Sequence, residues 1–591
     1  MKIPMMVSAH RRLVNRCSFS RTLVVTLVQT ASVSTAFSVV SKSRSFPEDY
    51  SRESYHQAAL RIVPSFSPLQ CLPILRRRCL YSSRTDHDGI SHLKTPEESK
   101  MTNDSLDIVN KAIQAIDPIF AIQQNLHHVS EDRFQIGLPP STTTNPGAVN
   151  DSNGHCANEM AMIELGKYDK IVLVAFGKAS SAMATAVLDR LLESSELPKL
   201  SGLVIAKDGH ATEQEISKLK SHHIRVMEAS HPVPDERSVQ AAEDLLDLVR
   251  TSASDRTLVI ACISGGGSAL FCAPHPKLTM KDLQDCNTAL LQSGWNIQEM
   301  NVVRKRLESG KGGRLAAAAF PGQIVSLILS DVLGDPLDLI ASGPTVPDTS
   351  TWQDAWELVN QSLPEETTLP DSVMQLLQDG KNGKITDSPA ADHPVFENSC
   401  NLVVGNNALA VSAAAEHARA LGYHPVVLGT QLQGEACQVA QVLVSLAQHL
   451  RQESRMPYPM AYKFPIALVA GGETTVSIPP QSEGKGGRNQ ELALAAAISL
   501  NKAQLRQIVL TSVGTDGNDG PTDAAGAVVD GGTIERLNGE GKSATEALQM
   551  HNAYPYLEQE DKTGHSPLIK IGPTGTNVAD ICIVLIHDKE L

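Results

Sequence analysis

The chain has 591 residues, more than one ordinary core holds, so two domains are expected beside an N-terminal segment of different character. Its 51 Lys and Arg stand against 65 Asp and Glu, and the imbalance deepens past the leader: residues 1–84 carry 13 basic and 3 acidic residues, leaving 38 basic against 62 acidic beyond them. A mature protein this acidic has no charge basis for binding nucleic acid or an anionic membrane, so an anionic ligand must be drawn by local cations.

Between Met1 and Pro47 there are seven Lys or Arg and no Asp or Glu, a transit-peptide composition. Thr22–Val40 is too interrupted by Thr, Ser and Gln for a membrane span. Arg78-Cys79-Leu80-Tyr81-Ser82-Ser83 resembles a mitochondrial cleavage site, so 1–84 is expected to be a mitochondrial presequence that joins no core; a plastid or cytoplasmic address is the alternative. Three of the ten cysteines (Cys17, Cys71, Cys79) lie there, and the other seven never form C-x-x-C. They are expected to be buried and reduced, without a disulfide framework or a zinc site.

Leu106, Ile108, Val109, Ala112, Ile113, Ile116, Ile119 and Phe120 have helical spacing, and a polar loop follows at Gly137–Asn158. Lys170–Phe176, Gly202–Ala206 and Thr257–Ile263 read as strands separated by helices at Ala179–Leu192 and Ser238–Thr251, the pattern of a parallel sheet covered on both faces. Residues 280–307 read as helical, with Trp295 and Met300 in the core, and Gln323–Leu329 as the next strand. The Gly-, Asp- and Pro-rich stretch Gln378–Ser399 is expected to be the interdomain linker. Five further strands follow, at Asn401–Val404, Pro425–Leu428, Pro465–Val469, Gln507–Ser512 and Ile581–Ile586.

Chemistry concentrates where apolar runs break into Gly-rich polar turns, since parallel sheets bind ligands beyond the C-terminal ends of their strands. Lys178, after Gly177, could reach a phosphate oxygen there. Gly265, Gly266, Gly267 and Ser268 form a loop that could offer backbone N–H groups to an anion. It is not a dinucleotide fingerprint, because Leu270 stands where the third glycine belongs, nor a P-loop. Asp331, Glu473 and Asp516 each end a strand, and carboxylates so placed suit Mg²⁺ held through few protein oxygens. Asn518-Asp519-Gly520 reads as a turn. His231, in Ser-His-Pro-Val-Pro-Asp, is either a base or a histidine that shapes its loop. Lys485-Gly486-Gly487-Arg488-Asn489-Gln490-Glu491 precedes the alanine-rich helix Leu492–Leu500, whose free N–H groups together with the Arg488 fork suggest an anion clamp. Gly572–Asn577 opens the last helix-like segment and offers Asn577 to a ligand edge.

These segments, in this order, resemble the class II glycerate 2-kinase family with its MOFRL-type C-terminal domain. The likeness is carried by Val174-Ala175-Phe176-Gly177-Lys178-Ala179, Ser230-His231-Pro232-Val233-Pro234-Asp235, Ile263–Leu270, Leu329–Pro336, Gly471–Thr475, Gly486–Glu491 and Gly514–Gly517, over about Ser105 to Leu591. It implies an α/β protein with a Rossmann-like parallel-sheet domain at 105–377, a smaller α/β domain at 400–591, and an active site in the cleft between them. It also implies transfer of the γ-phosphate of ATP to the 2-hydroxyl of D-glycerate, with Mg²⁺; a monomer or homodimer with no membrane partner is expected. By resemblance Lys178, Asp331, Glu473, Arg488, Asp516 and Asn577 line the cleft. Lys178 and Arg488 would share the phosphoryl group and the glycerate carboxylate, Asp331, Glu473 and Asp516 would hold Mg²⁺ or orient the hydroxyl, and Gly265–Ser268 would cradle the ATP phosphates. The alternatives are an NAD(P)-dependent hydroxypyruvate reductase, against which the missing glycine fingerprint stands, and a sugar-phosphate sensor without turnover.

Overall fold

The computed structural model describes residues 94–130, 132–137, 161–364, 366–451, 463–479, 483–537, 543–559 and 565–588, all within the unit Gln57–Leu591. The expected presequence, most of the polar loop 137–158, and Cys156 lie outside the described residues. Three short antiparallel strands come first: β1 (Leu126–Ser130), β2 (Arg133–Ile136) and β3 (Ala161–Glu164).

Six parallel strands make the first large sheet: β4 (Lys170–Phe176), β5 (Lys199–Lys207), β6 (Ile224–Ala229), β7 (Thr257–Ser264), β8 (Gln323–Leu329) and β9 (Ser399–Gly405). Their spatial order is β6-β5-β4-β7-β8-β9, the doubly wound arrangement in which the order reverses between β4 and β7. The continuous apolar runs are explained by cover on both faces. Ile171, Leu173 and Ala175 of β4 pack with Met183 and Val187 of the helix Ser180–Leu191, while Val172, Val174 and Phe176 pack with Leu245 and Val249 of the helix Glu236–Ser252. The stretch 280–307 is two helices, Met280–Gln292 and Ile297–Leu307, broken at Gly294 (φ 78°) and restarted by an Asn296–Glu299 capping box. They pack with Trp352–Ser362 and Asp371–Lys381 around the buried Trp352, and Met300 is in that core with Trp295 against it.

The second sheet is mixed rather than a second parallel sheet. Its strands are β10 (His424–Leu432), β11 (Ile466–Gly472), β12 (Ile508–Gly514), β13 (Gly526–Asp530), β14 (Leu568–Ile569) and β15 (Asp580–Ile586), in the order β10-β11-β15-β12-β13-β14. Only β10 and β11 pair in parallel. β15 lies antiparallel between β11 and β12, so Asp580, its first residue, pairs with Gly472 at the end of β11 and Gly514 at the end of β12. The helices Ala436–Leu450 and Arg488–Lys502 cover one face. Asn407–Ala420 and Pro96–Ala115 cover the other.

Three expectations are corrected. The stretch 378–399 is not where the chain leaves the first sheet, because β9 hydrogen bonds in parallel to β8 from Ile324↔Ser399 to Leu329↔Gly405 and so belongs to the first sheet. The helix expected to open the first domain packs on the second sheet instead, where the Ser105 Oγ meets the Thr511 Oγ1 at 2.6 Å. Cys262, Cys272, Cys286, Cys437 and Cys582 are free, but Cys400 is disulfide-bonded. It sits on β9, an edge strand that another segment can reach.

Candidate active site between the two sheet edges

The switch point of the first sheet is built by close backbone approach. Gly177 has φ 121°, and a Cβ on it would lie 2.2 Å from the Ser264 Oγ, so only glycine lets the turns after β4 and β7 meet. They are then tied by the Lys178 N–H to the Gly265 carbonyl (2.8 Å) and the Ala179 N–H to the Ser264 Oγ (3.0 Å). Around this junction the other strands deliver their side chains. The Asp331 Oδ2 lies 2.1 Å from where a Cβ of Gly265 would be, and the His231 Cδ2 and Nε2 lie 2.9 Å from that position on Gly266, with the Lys178 Cγ at 3.3 Å. Burial raises the Asp331 pKa and Lys178 opposes the shift. His231 is pushed down to about 4 by burial and then by Lys178.

Of the four loop residues expected to cradle phosphates, Gly265 and Gly267 are buried, while Gly266 and Ser268 keep partial exposure. Gly267 packs against Ala341. Ser268 is held by the Ser342 Oγ (3.1 Å) and by Lys311, whose Nζ donates to its carbonyl at 2.9 Å. The cradle is therefore narrower than expected, because two of its three glycines serve packing.

Two side chains that the motif reading missed join this edge. Lys207 ends β5, and His210 follows in the turn Lys207-Asp208-Gly209-His210. The His210 Nδ1 lies 3.3 Å from the Lys178 carbonyl. The Lys207 pKa is lowered by burial and then by Lys178, with Asp516 working the other way. His210 is pushed down to about 4 by desolvation and then by Lys207, again opposed by Asp516. Asp516 belongs to the second sheet, so the two edges face each other here. An apolar run ending in a Gly-containing polar turn is the same signal that marked the other segments, and it could have found both residues.

At the second edge Arg488 begins the helix Arg488–Lys502. Its Nε and Nη2 donate to the two Asp580 oxygens at 2.6 and 2.9 Å, and its Nη1 meets the Glu473 Oε1 at 2.7 Å. Burial works against the Arg488 charge, but the Asp580 hydrogen bonds and then the charges of Asp580 and Glu473 outweigh it and raise its pKa. The buried Asp580 has its own pKa raised by burial, with the Arg488 hydrogen bond opposing. The helix start expected to receive a ligand anion already holds one: Asp519 accepts the N–H groups of Asn489 (3.1 Å) and Gln490 (2.9 Å). Asn518-Asp519-Gly520 is thus a helix cap rather than a bare turn, and burial pushes the Asp519 pKa up to about 6.

The remaining expected residues divide. Asp516 is part-exposed and steadies its own turn, with its Oδ1 accepting the Asn518 N–H at 3.0 Å. Gly572–Asn577 opens no helix. It leads into β15, and the Asn577 Oδ1 accepts the Ala579 N–H at 3.1 Å while Thr574 braces the Thr515 carbonyl at 2.6 Å. Among the described residues no group of three His, Cys, Asp or Glu is gathered as a metal site. Of the three carboxylates expected to hold Mg²⁺, Asp331, Glu473 and Asp516, Glu473 is engaged by Arg488 at 2.7 Å.

Fold and site together define a two-sheet α/β protein with a lysine- and histidine-lined switch point on one edge and an arginine fork fixed by carboxylates on the other. Residues 104–378 match a domain of unknown function, DUF4147, and residues 466–580 match the MOFRL family. Over 420 residues the chain is 37% identical to glycerate 2-kinase of Pyrococcus horikoshii, covering 71% of this chain and 88% of that protein. Over 417 residues it is 40% identical to an Agrobacterium vitis protein provisionally named a hydroxypyruvate reductase, covering 71% of this chain and 99% of that one. The crystal structure of glycerate kinase from Thermotoga maritima superposes with a TM-score of 0.65 at 33% identity, covering 83% of this chain and all of that one. The chain belongs to the glycerate kinase family with DUF4147 N-terminal and MOFRL C-terminal domains.

Proposed function

We propose that this protein is a glycerate 2-kinase, transferring the γ-phosphate of ATP to the 2-hydroxyl of D-glycerate to give 2-phosphoglycerate and ADP. The observation that carries the reading is the opposition of the two edges. Lys178 and Lys207 make no salt bridge among the described residues, Lys178 acts on Asp331 while Lys207 faces Asp516, and the second edge holds an arginine fork preset by Asp580. Phosphoryl transfer asks for this more than for covalent chemistry, because catalysis rests on positioning the hydroxyl in line and neutralising spreading charge. The lysines suit phosphate and carboxylate oxygens, and the partly exposed Gly266 and Ser268 leave a narrow approach to backbone.

Asp331 and Asp516 suit a Mg²⁺ ion that keeps most of its shell as water and phosphate oxygens. When bound, that ion would neutralise charge on the phosphates. Glu473 is better read as a partner of Arg488 than as a ligand. Release of a carboxylate from Arg488 would let the fork take up an anionic oxygen.

The name of the Agrobacterium relative favours a second reading, a nicotinamide-dependent hydroxypyruvate reductase. Two features of the site speak against it. The turn after β4, the first strand of the doubly wound order, has the single glycine Gly177. Asp208, at the end of β5 where a dinucleotide fold places its ribose-binding acid, is paired with both Arg237 amino groups at 2.7 Å. Purified 85–591 incubated with ATP, Mg²⁺ and D-glycerate, followed by enolase, which consumes the 2-phospho product and not the 3-phospho product, tests the kinase. NADH oxidation with hydroxypyruvate in place of ADP release would replace it with the reductase. The basic, acid-free start of the chain supports a mitochondrial address, and a fluorescent fusion of 1–84 that stays cytosolic would remove that part of the proposal.

A further inference from the structure

His210 lies in no motif that carried the family likeness, and its position is unlike that of the other acids and imidazoles of the groove. Its Nδ1 faces the Lys178 carbonyl at 3.3 Å. A carbonyl only accepts, so Nδ1 must carry the proton, and that tautomer leaves Nε2 with a free lone pair. Nε2 has no hydrogen-bond partner among the described residues, and the residue opens to solvent at the wall of the groove, whose surrounding atoms still desolvate the ring. It faces Lys178 and Lys207 from its own edge and Asp516 from the opposite one.

The other acceptors of the groove are less exposed than His210 or, like Glu473, already paired. The His231 ring edge is packed against Gly266, and the Asp331 Oδ2 is lodged against Gly265. Asp516 gives one oxygen to the Asn518 N–H, and Glu473 is paired with Arg488.

We infer that the His210 Nε2 is the group that receives the proton of the acceptor hydroxyl, with the Lys178 carbonyl holding the ring in the correct tautomer. The inference rests on the kinase reading. As the hydroxyl oxygen bonds to the γ-phosphorus, its O–H bond gives the proton to Nε2. The bond from the γ-phosphorus to the bridging oxygen breaks, and that oxygen keeps the electron pair on ADP. The imidazolium so formed has the Lys178 carbonyl on one nitrogen and the Asp516 charge across the groove, and it returns its proton to solvent after product leaves. Lys178 then has two duties, its ammonium toward the anion and its carbonyl toward the base.

The test uses amide replacements that mimic one ring nitrogen each. In Asn the amide nitrogen sits near Nδ1, so His210→Asn keeps the tether to Lys178 and loses Nε2. In Gln the amide reaches the Nε2 position and can accept a hydrogen bond there, but it is not basic enough to take the proton. Gln, Asn and Ala should therefore all lose kcat with ATP and D-glycerate, by roughly 100-fold or more, the size of a positioned general base, with the KM for ATP within about threefold. A kcat within about threefold of the parent in any of the three, His210→Gln above all, overturns the inference. The tautomer gives a readout independent of turnover: ¹⁵N chemical shifts of the parent, assigned by difference with His210→Asn, should show Nδ1 protonated and Nε2 bare. The reverse tautomer overturns it even if the variants fold poorly. A parent enzyme that makes no 2-phosphoglycerate refutes the kinase reading itself, a separate outcome.

Discussion

Arg488→Lys keeps the charge at the second edge and removes the planar fork, so it separates a donor that acts in the transition state from a cation that merely starts a helix. In the structure Nε and Nη2 grip Asp580 at 2.6 and 2.9 Å while Nη1 reaches Glu473 at 2.7 Å. An ammonium cannot hold Asp580 in two parallel bonds and keep a third direction for Glu473 or a ligand. Turnover at saturating ATP and glycerate should fall by about 2–4 kcal/mol in activation terms, the scale of one preorganised charge-stabilising donor, or roughly 30- to 1000-fold. Stability should move as well. Asp580 has 9% of its side chain exposed and loses one of two charge-assisted bonds, about 1–2 kcal/mol, whereas Glu473 at 45% exposure adds little. The assays are enolase-coupled steady-state kinetics and a urea unfolding series on the same preparations, with Asp580→Asn and the double variant closing the cycle. Turnover within about threefold of the parent would remove Arg488 from the reaction. An unchanged unfolding midpoint would refute the claim that Asp580 and Arg488 hold each other.

Gly265→Ala would place a Cβ 2.1 Å from the Asp331 Oδ2, so it should cost turnover about tenfold or more with an enzyme that still folds; Asp331→Ala in the same background, which opens the space, should not restore it, and recovery there would mean that Asp331 is only in the way. Asp519 has its pKa pushed up to about 6 by burial, and a carboxyl whose folded pKa exceeds its unfolded value costs stability as pH rises through the window between them. Urea unfolding should therefore show roughly 3 kcal/mol lost from this group between about pH 4 and pH 6, and Asp519→Asn, which keeps an acceptor for the helix cap, should flatten that segment; an unchanged profile would reject the assignment. Asp516→Asn should weaken turnover at limiting Mg²⁺ more than at saturating Mg²⁺ without lowering the unfolding midpoint, and an identical Mg²⁺ titration would withdraw Asp516 from the site.

The sequence alone determined the parts of this protein that repeat along the chain. Val, Ile and Leu runs alternating with amphipathic helices define a strand buried on both faces, so β4, β5, β7 and β8 were legible; the polar turns after β4 and β8 pointed to Lys178 and Asp331, and the Gly-rich segment before an alanine-rich helix pointed to Arg488, whereas the turn after β5 was passed over. Local pattern says little about direction or neighbour, and tertiary structure decided those. A short apolar run reads alike in a parallel or an antiparallel strand, so the mixed order of the second sheet was not legible, and Asp580 went unnoticed because it begins a strand rather than ending one; only antiparallel insertion between β11 and β12 brings a strand start to the same edge as Gly472 and Gly514. The same holds for β9, whose place beside β8 is a pairing between segments some 70 residues apart, and for Ser105, bonded to Thr511 across 406 residues of chain. At the helix start Arg488–Lys502 the unpaired N–H groups were rightly expected to want an anion. Which anion was a question of distance in space, and Asp519 supplied it from a turn 30 residues away along the chain.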